Sequence, residues 1–400
     1  MDPDATLRAV TEAASFNAAV AALAADHDRM VADIVALAEI PAPPFQEAER
    51  AKAWMRMAAA QGLSELRRDA EGNVTALRRG AGAGDLLCVA AHLDTVFPPE
   101  TDVRVRRRGT RLLGPGIGDN TRSLSVLLAF ARAMDQAGVR TRGDILFVAD
   151  VGEEGVGDLR GMRHLFQRGD YAGRIGAFIT IDSPDMNGIA TRGIGSRRYR
   201  VTFNGPGGHS WAAFGMVNPM HALARVITQL ASIPVPVSPR TTFCASRAGG
   251  GTSINAIPNS VWGEFDLRSE AAEALDDLDR RFLQLLGDAA REENALRAGC
   301  VRAEIARIGD RPAGRTEDSH FLPRLASAAI AQYGFTPRFE AASTDANIPM
   351  SLGIPAIKIG SGGTGGRAHS LEEWIDVEPE ASLRGMAAGL AIVLGAAGLA

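Results

Sequence analysis

The chain has 400 residues, 46% hydrophobic and 22% charged, with a net charge of -4 and lysine only at Lys52 and Lys358. This is an ordinary globular composition, too long for one comfortable core, and it lacks the basic block that would hold nucleic acid. Cys88, Cys244 and Cys300 are far apart and odd in number, so neither a disulfide framework nor a cysteine-held metal is expected.

The opening MDPDATLRAV is acidic and has no apolar core, so it does not read as a secretory signal. Over residues 6–40 apolar positions recur every three or four residues, which predicts helix until PAPP (41–44) stops it. A second helix is predicted over 46–61, then an extended stretch over 74–77. LLCVA (86–90) is short, continuous and apolar, the pattern of a buried strand in a parallel sheet. AHLDTVFPP (91–99) follows directly, and strand alternation puts His92 and Asp94 on one face at the carboxyl end, where open α/β sheets place their sites.

GPGIGDN (114–120) is a glycine-rich loop that delivers Asp119 just before an apolar helix predicted over 123–137; it lacks the Gly-Lys-Ser/Thr of a phosphate loop. DILFVAD (144–150) reads as a strand that runs into VGEEGVGDLRG, placing Glu153 and Glu154 in a glycine-bounded turn. IGAFITID (175–182) is a third strand and ends in Asp182. Three successive strands thus bring acid or imidazole groups to one sheet edge.

From Gly193 the composition changes. RRYRVTFNG (197–205) alternates as a half-exposed strand, and PGGHSW holds His209 on a turn. A helix over 218–233, strands over 241–246 and 261–268, a helix over 270–297 and a strand over 301–308 complete an inserted α+β unit. The α/β pattern resumes with a helix over 319–333, a strand over 354–360 and a final helix from Pro379; the loop SGGTGGRAHSLEEW carries His369. The expected fold is therefore an α/β domain with a mainly parallel central sheet flanked by helices (1–192 and 311–400), plus an inserted α+β unit (193–310). The apolar tail 385–400 is short for a membrane span and glycine-interrupted, so a packed helix, a cytoplasmic location and no membrane partner are expected.

His92, Asp94, Asp119, Glu153, Glu154, Asp182 and His369 collect at the carboxyl edge. Two imidazoles and several carboxylates suit a pair of divalent ions with one carboxylate bridging. Such a pair holds a hydroxide and polarises a carbonyl, and a leftover carboxylate serves as general base. Adjacent Glu153 and Glu154 repel each other unless a cation or proton lies between them.

The ordered motifs HLDTV, GPGIGDN, GEEG, the Asp182 strand end, GPGGHS, NAIP, TDAN and GGRAHS make nearly the whole chain resemble the dinuclear zinc metallopeptidases. That family includes aminoacylase, carboxypeptidase G, peptidase T and succinyl-diaminopimelate desuccinylase, and the wording here is most similar to the peptidase T-like branch. The resemblance implies two divalent ions, zinc first and cobalt or manganese as alternatives. His92 and Asp182 would bind one, Glu154 and His369 the other, and Asp119 both. It makes Glu153 the general base and has Asp94 orient His92. The resemblance makes 1–192 and 311–400 the catalytic domain and 193–310 its lid and dimerisation domain. His209 would stabilise the oxyanion from a partner subunit of a homodimer joined through the lid. Asn255 and Arg268 would grip a substrate carboxylate, with Arg197, Arg198 and Arg367 as rivals to Arg268. Asp345 would position the His369 loop; His164, His221 and His320 are structural. The implied reaction is cleavage of a carbon–nitrogen bond in a small molecule or short peptide by a di- or tripeptidase or aminopeptidase. The alternative is an amidohydrolase, N-deacylase or deaminase acting on a small non-peptide acid.

Overall fold

A computed structural model describes residues 2–59, 63–82 and 84–400. The chain divides into two units, Met1–Gly193 with Arg315–Ala400, and Ile194–Gly314. The second unit runs past the expected 310 because the strand Arg302–Arg311 stays paired along its whole length with Gly195–Asn204.

In the first unit the central sheet runs in the order Ser64–Arg68, Val74–Arg78, Ile145–Asp150, Leu86–His92, Ile175–Ile181, Ala356–Ile359 and Gly188–Gly193, with Arg338–Ala342 also on the last. Leu86–His92 lies at the centre, parallel to both neighbours, and Ala356–Ile359 is parallel to Ile175–Ile181. All seven residues of Leu86–His92 are buried, as the unbroken apolar run required. The outer pairs around Val74–Arg78 are antiparallel, so the sheet is mixed, with a parallel centre. In-register pairing of His92 with Asp150 aligns the carboxyl ends of the central strands.

The helix expected over 6–40 is three helices, Pro3–Glu12, Ala14–Ala25 and His27–Ala38. The first break is at Ala13, which is extended, and Asn17 Nδ2 donates to the Thr11 and Ala13 carbonyls there. Each short helix keeps an apolar face on the core, so the spacing continues through the breaks. The helix Ala48–Ala59 follows; its expected end at Gln61 lies outside the described residues. Pro379–Ala397 is long and apolar enough to cross a bilayer, but 72% of its apolar window is buried within the protein, and it packs as a core helix.

A small sheet absent from the sequence-based expectation orders Thr364–Gly366, Trp374–Asp376, Arg111–Leu113 and Arg106–Arg108. It ties the segment leading to Asp119 to the segment following His369.

The second unit is a four-stranded antiparallel sheet in the order Thr241–Gly250, Ser260–Ser269, Gly195–Asn204 and Arg302–Arg311. Ser260–Ser269 alternates buried and half-exposed residues with the period of two. Tyr199, Val201, Phe203 and Phe265 pack with Leu223, Val226, Phe282 and Leu286 from the helices Pro219–Ala231 and Ala272–Leu296.

Candidate metal centre

His92 closes its strand fully buried, with Nε2 3.0 Å from Asp119 Oδ1. Its Nδ1 is 3.0 Å from the Asp94 backbone carbonyl and 3.8 Å from that residue's carboxylate. A carbonyl only accepts, so Nδ1 donates there and Nε2 is turned toward Asp119. The Asp94 carboxylate beside His92 also has a second task. It accepts the backbone N–H groups of Glu153 at 3.0 Å and Glu154 at 2.8 Å, tying the ends of two parallel strands together. Gly152 makes that turn with φ 71°, and a Cβ there would lie 2.6 Å from Arg160 Cγ.

His369 comes from the last long loop. Its Nε2 is 3.1 Å from Asp119 Oδ2 and 2.9 Å from Glu154 Oε1. One carboxylate therefore faces an imidazole with each of its oxygens. Candidate ligand atoms of His92, Asp119 and Asp182 lie within 4.8 Å of one another, as do those of Asp119, Glu154 and His369, and those of His92, Glu153 and Glu154. The structure thus brings together all seven residues gathered at the sheet edge.

The electrostatics show what the cluster is suited to hold. Burial and then the Asp119 charge push the Asp182 carboxyl up to about 6. Hydrogen bonds to Asp119 and Glu154 raise the His369 imidazole to about 10. Burial works against a charged His92, yet Asp119 and the neighbouring acids hold it well above the usual histidine value. Crowded carboxylates here favour the protonated forms of His92, His369 and Asp182, and a divalent cation supplies the same positive charge while keeping the imidazole nitrogens as ligands. The donor set, imidazole nitrogen and carboxylate oxygen, fits zinc-like ions.

Three further residues shape the centre. Arg50, fully buried on Ala48–Ala59, donates to the Leu93 carbonyl between His92 and Asp94 at 2.8 Å and to the Ile40 and Ala38 carbonyls. Asp150 ends its strand beside His92, and the strand-end signal that marks Asp182 marks Asp150 equally. Its carboxyl interacts with Asp345, and burial raises both, Asp150 to about 7. Asp345 therefore sits with Asp150, Glu153 and His92 rather than at the His369 loop, because the TDAN turn enters the buried helix Asn347–Ser351, which packs on Arg160–Gln167. Glu373 receives backbone N–H groups from Gly116, Gly118 and Asp119; an acid four residues after His369 is its only mark in the sequence. A cavity of about 500 Å³ borders Asp119, walled by Pro184, Met186, Phe335 and Trp374.

The inserted unit carries the remaining expected residues. His209 is exposed on the short strand Gly208–His209, paired with Ala256–Ile257, and the Ser210 N–H donates to the Asn255 carbonyl. His209 Nδ1 accepts the Trp211 N–H at 3.2 Å, which leaves the imidazole proton on Nε2. Arg268 lies near the far end of Ser260–Ser269, opposite Ser196, with Nε 2.7 Å from Asp266. Eight residues of strand separate Arg268 from Ser260, roughly 25 Å. His209 and Asn255 are thus neighbours, and Arg268 is not brought to them. Of the rivals, Arg197 is held by Asp276 and Asp279, Arg198 lies 3.4 Å from Asp266, and Arg367 pairs with Glu372.

Among known proteins, succinyl-diaminopimelate desuccinylase of Bordetella parapertussis is 29% identical over 235 residues, 54% of this chain and 62% of that protein's length. The aminopeptidase PepT of Bacillus cereus superposes with a TM-score of 0.76 at 21% identity, covering 93% of this chain and 99% of that one. YXEP of Bacillus subtilis, described as a dinuclear metal binding peptidase, superposes with a TM-score of 0.67 at 18% identity, covering 92% and 98%. At those identities the two superpositions show a shared fold. The sequence pattern of peptidase family M20/M25/M40 matches residues 88–395, a span that holds all seven residues gathered at the sheet edge, and the chain belongs to that family.

Proposed function

We propose that the protein hydrolyses a carbon–nitrogen bond in short peptides, as a di- or tripeptidase or aminopeptidase that works with two divalent ions. The observation that carries this reading is Asp119, whose carboxylate faces His92 with one oxygen and His369 with the other. His92 and Asp182 would hold one ion, Glu154 and His369 the second, and Asp119 both, with zinc the first choice and cobalt or manganese the alternatives. Bound there, the pair would supply Lewis acidity to activate water and polarise the scissile carbonyl.

The chain supplies the rest. Glu153, buried beside His92 and fixed through its backbone by Asp94, takes the proton from the attacking water and delivers it to the leaving amine. His209, with its proton on Nε2, donates to the oxygen that becomes negative at the carbonyl. Asn255 and Arg268 bind a substrate carboxylate. Their separation along the inserted sheet supports a homodimer in which one copy offers His209 and Asn255 and the other Arg268. The inserted unit serves as the lid and dimerisation surface, supported by the exposed Trp211, Phe214 and Ile254. A cytoplasmic location agrees with the three cysteines being free thiols.

Metal-loaded protein incubated with mixed di- and tripeptides should release free amino acids; inertness toward every peptide tested removes the peptidase reading. A second reading, an amidohydrolase, N-deacylase or deaminase acting on a small acid, is favoured by the 29% identity to a desuccinylase. N-acyl amino acids and aminoaromatic acids in the same screen separate the two.

A further inference from the structure

We infer that Glu373 is a positioning residue for the metal centre, a clamp that fixes Asp119 by gathering the amide groups of the loop that carries it. This rests on the two-metal reading above. Glu373 is 2% exposed, and its side chain accepts three backbone N–H groups: Gly116 on Oε2 at 2.9 Å, Gly118 on Oε1 at 2.7 Å and Asp119 on Oε1 at 2.8 Å. Its own backbone carbonyl takes a fourth, from Gly114 at 3.0 Å. One residue thus organises 114–119, a loop whose first helical turn departs from helical geometry at Asp119 itself.

These amides lie beyond the ladder, which ends at Leu113, and Glu373 gives them their acceptor. A Cβ at Gly118 would lie 3.1 Å from Glu373 Oε1, so the absence of a side chain there lets the carboxylate approach the backbone. Glu373 also sits four residues after His369, on the segment that pairs through Trp374–Asp376 with Arg111–Leu113. It therefore sets the distance between Asp119, which faces both imidazoles, and His369, which closes the second side of the cluster. A carboxylate that must bridge two ions tolerates little displacement, and groups that orient metal ligands are worth about 10- to 100-fold in metal affinity.

The test is a titration of metal-free protein with zinc against a competing chelator, with circular dichroism recorded before metal is added. Wild type should take up two ions per chain. E373A should fold and bind them about 10- to 100-fold more weakly, with kcat reduced and KM for a peptide little changed. E373Q should fall between, because a carboxamide oxygen still accepts from Gly118 and Asp119 while its NH2 opposes the Gly116 N–H. E372Q, which alters an exposed residue paired with Arg367, should match wild type. Wild-type affinity in E373A overturns the inference; if E373A does not fold, wild-type affinity in E373Q overturns it. Wild type that binds less than one ion per chain overturns the two-metal reading itself and this inference with it, which separates the two failures.

Discussion

Glu153 and Glu154 are adjacent in the chain and buried to the same degree, yet their neighbours give them different work. Glu154 lies against His369, while Glu153 lies with His92 on the side of the Asp150–Asp345 pair. E153Q should therefore lower kcat by at least about 100-fold, the worth of a general base, while both ions stay bound. Loss of ions in E153Q would show that the two glutamates had exchanged roles. Asp150 carries a pH signature. Burial lifts its carboxyl to about 7, so between the ordinary carboxylate range and about 7 the folded protein holds a proton that the unfolded chain has released. That contribution to stability is present at low pH and is lost as pH rises through about 7. In metal-free protein D150N should gain stability relative to wild type between about pH 5 and about pH 8, read from urea midpoints; a difference independent of pH would show that Asp150 does not titrate there. At this scale the sequence displayed the candidate ligands well, because strand ends and glycine turns mark acids and imidazoles. It hid Asp94's second task and Glu373, since both act on backbone amides that a sequence does not position.

Among the elements, the central strands were legible and the ends of the helices were not. An apolar run such as LLCVA has one solution in a parallel sheet, and Leu86–His92 adopts it. The N-terminal helices share one apolar spacing, and the extended Ala13 that divides the first two carries no proline or glycine to announce the break. The three-residue strands Arg111–Leu113 and Trp374–Asp376 pair across more than two hundred residues, which no local pattern encodes. Arg50 shows how such elements are locked together. Its guanidinium serves the carbonyls at the end of His27–Ala38 and the Leu93 carbonyl at the end of the central strand. R50M keeps much of the volume and removes the donors. It should cost about 3 kcal/mol or more in urea unfolding, since several buried carbonyls lose their partners at about 1 to 3 kcal/mol each. It should also weaken zinc binding, because Leu93 lies between His92 and Asp94. An unchanged midpoint would mean that water replaces the guanidinium.

The whole molecule interrupts one α/β unit with a second unit of 194–314, and the change of composition at Gly193 made the first boundary readable. The proposed part of His209 in the reaction can be traced to a copy by experiment. His209 lies on the two-residue strand paired with Ala256–Ile257, just after Asn255, while Arg268 lies near the far end of Ser260–Ser269. If the centre of one copy is completed by His209 of a second copy, then H209A and E153Q are each inactive for reasons that reside in different sites. Mixed after gentle dissociation, half of the resulting dimers would carry one of each subunit. In such a dimer the H209A subunit keeps its own Glu153 and receives an intact His209 from the other, so one of the two centres is whole. The mixture should recover about a quarter of wild-type turnover, from two preparations that alone show almost none. A completion within one chain predicts no recovery, because every centre then lacks either Glu153 or His209. Sedimentation guards the interpretation: recovery in the mixture requires dimers, and wild-type protein that is a monomer at assay concentration and still turns over substrate would place His209 in its own chain's site or outside the reaction.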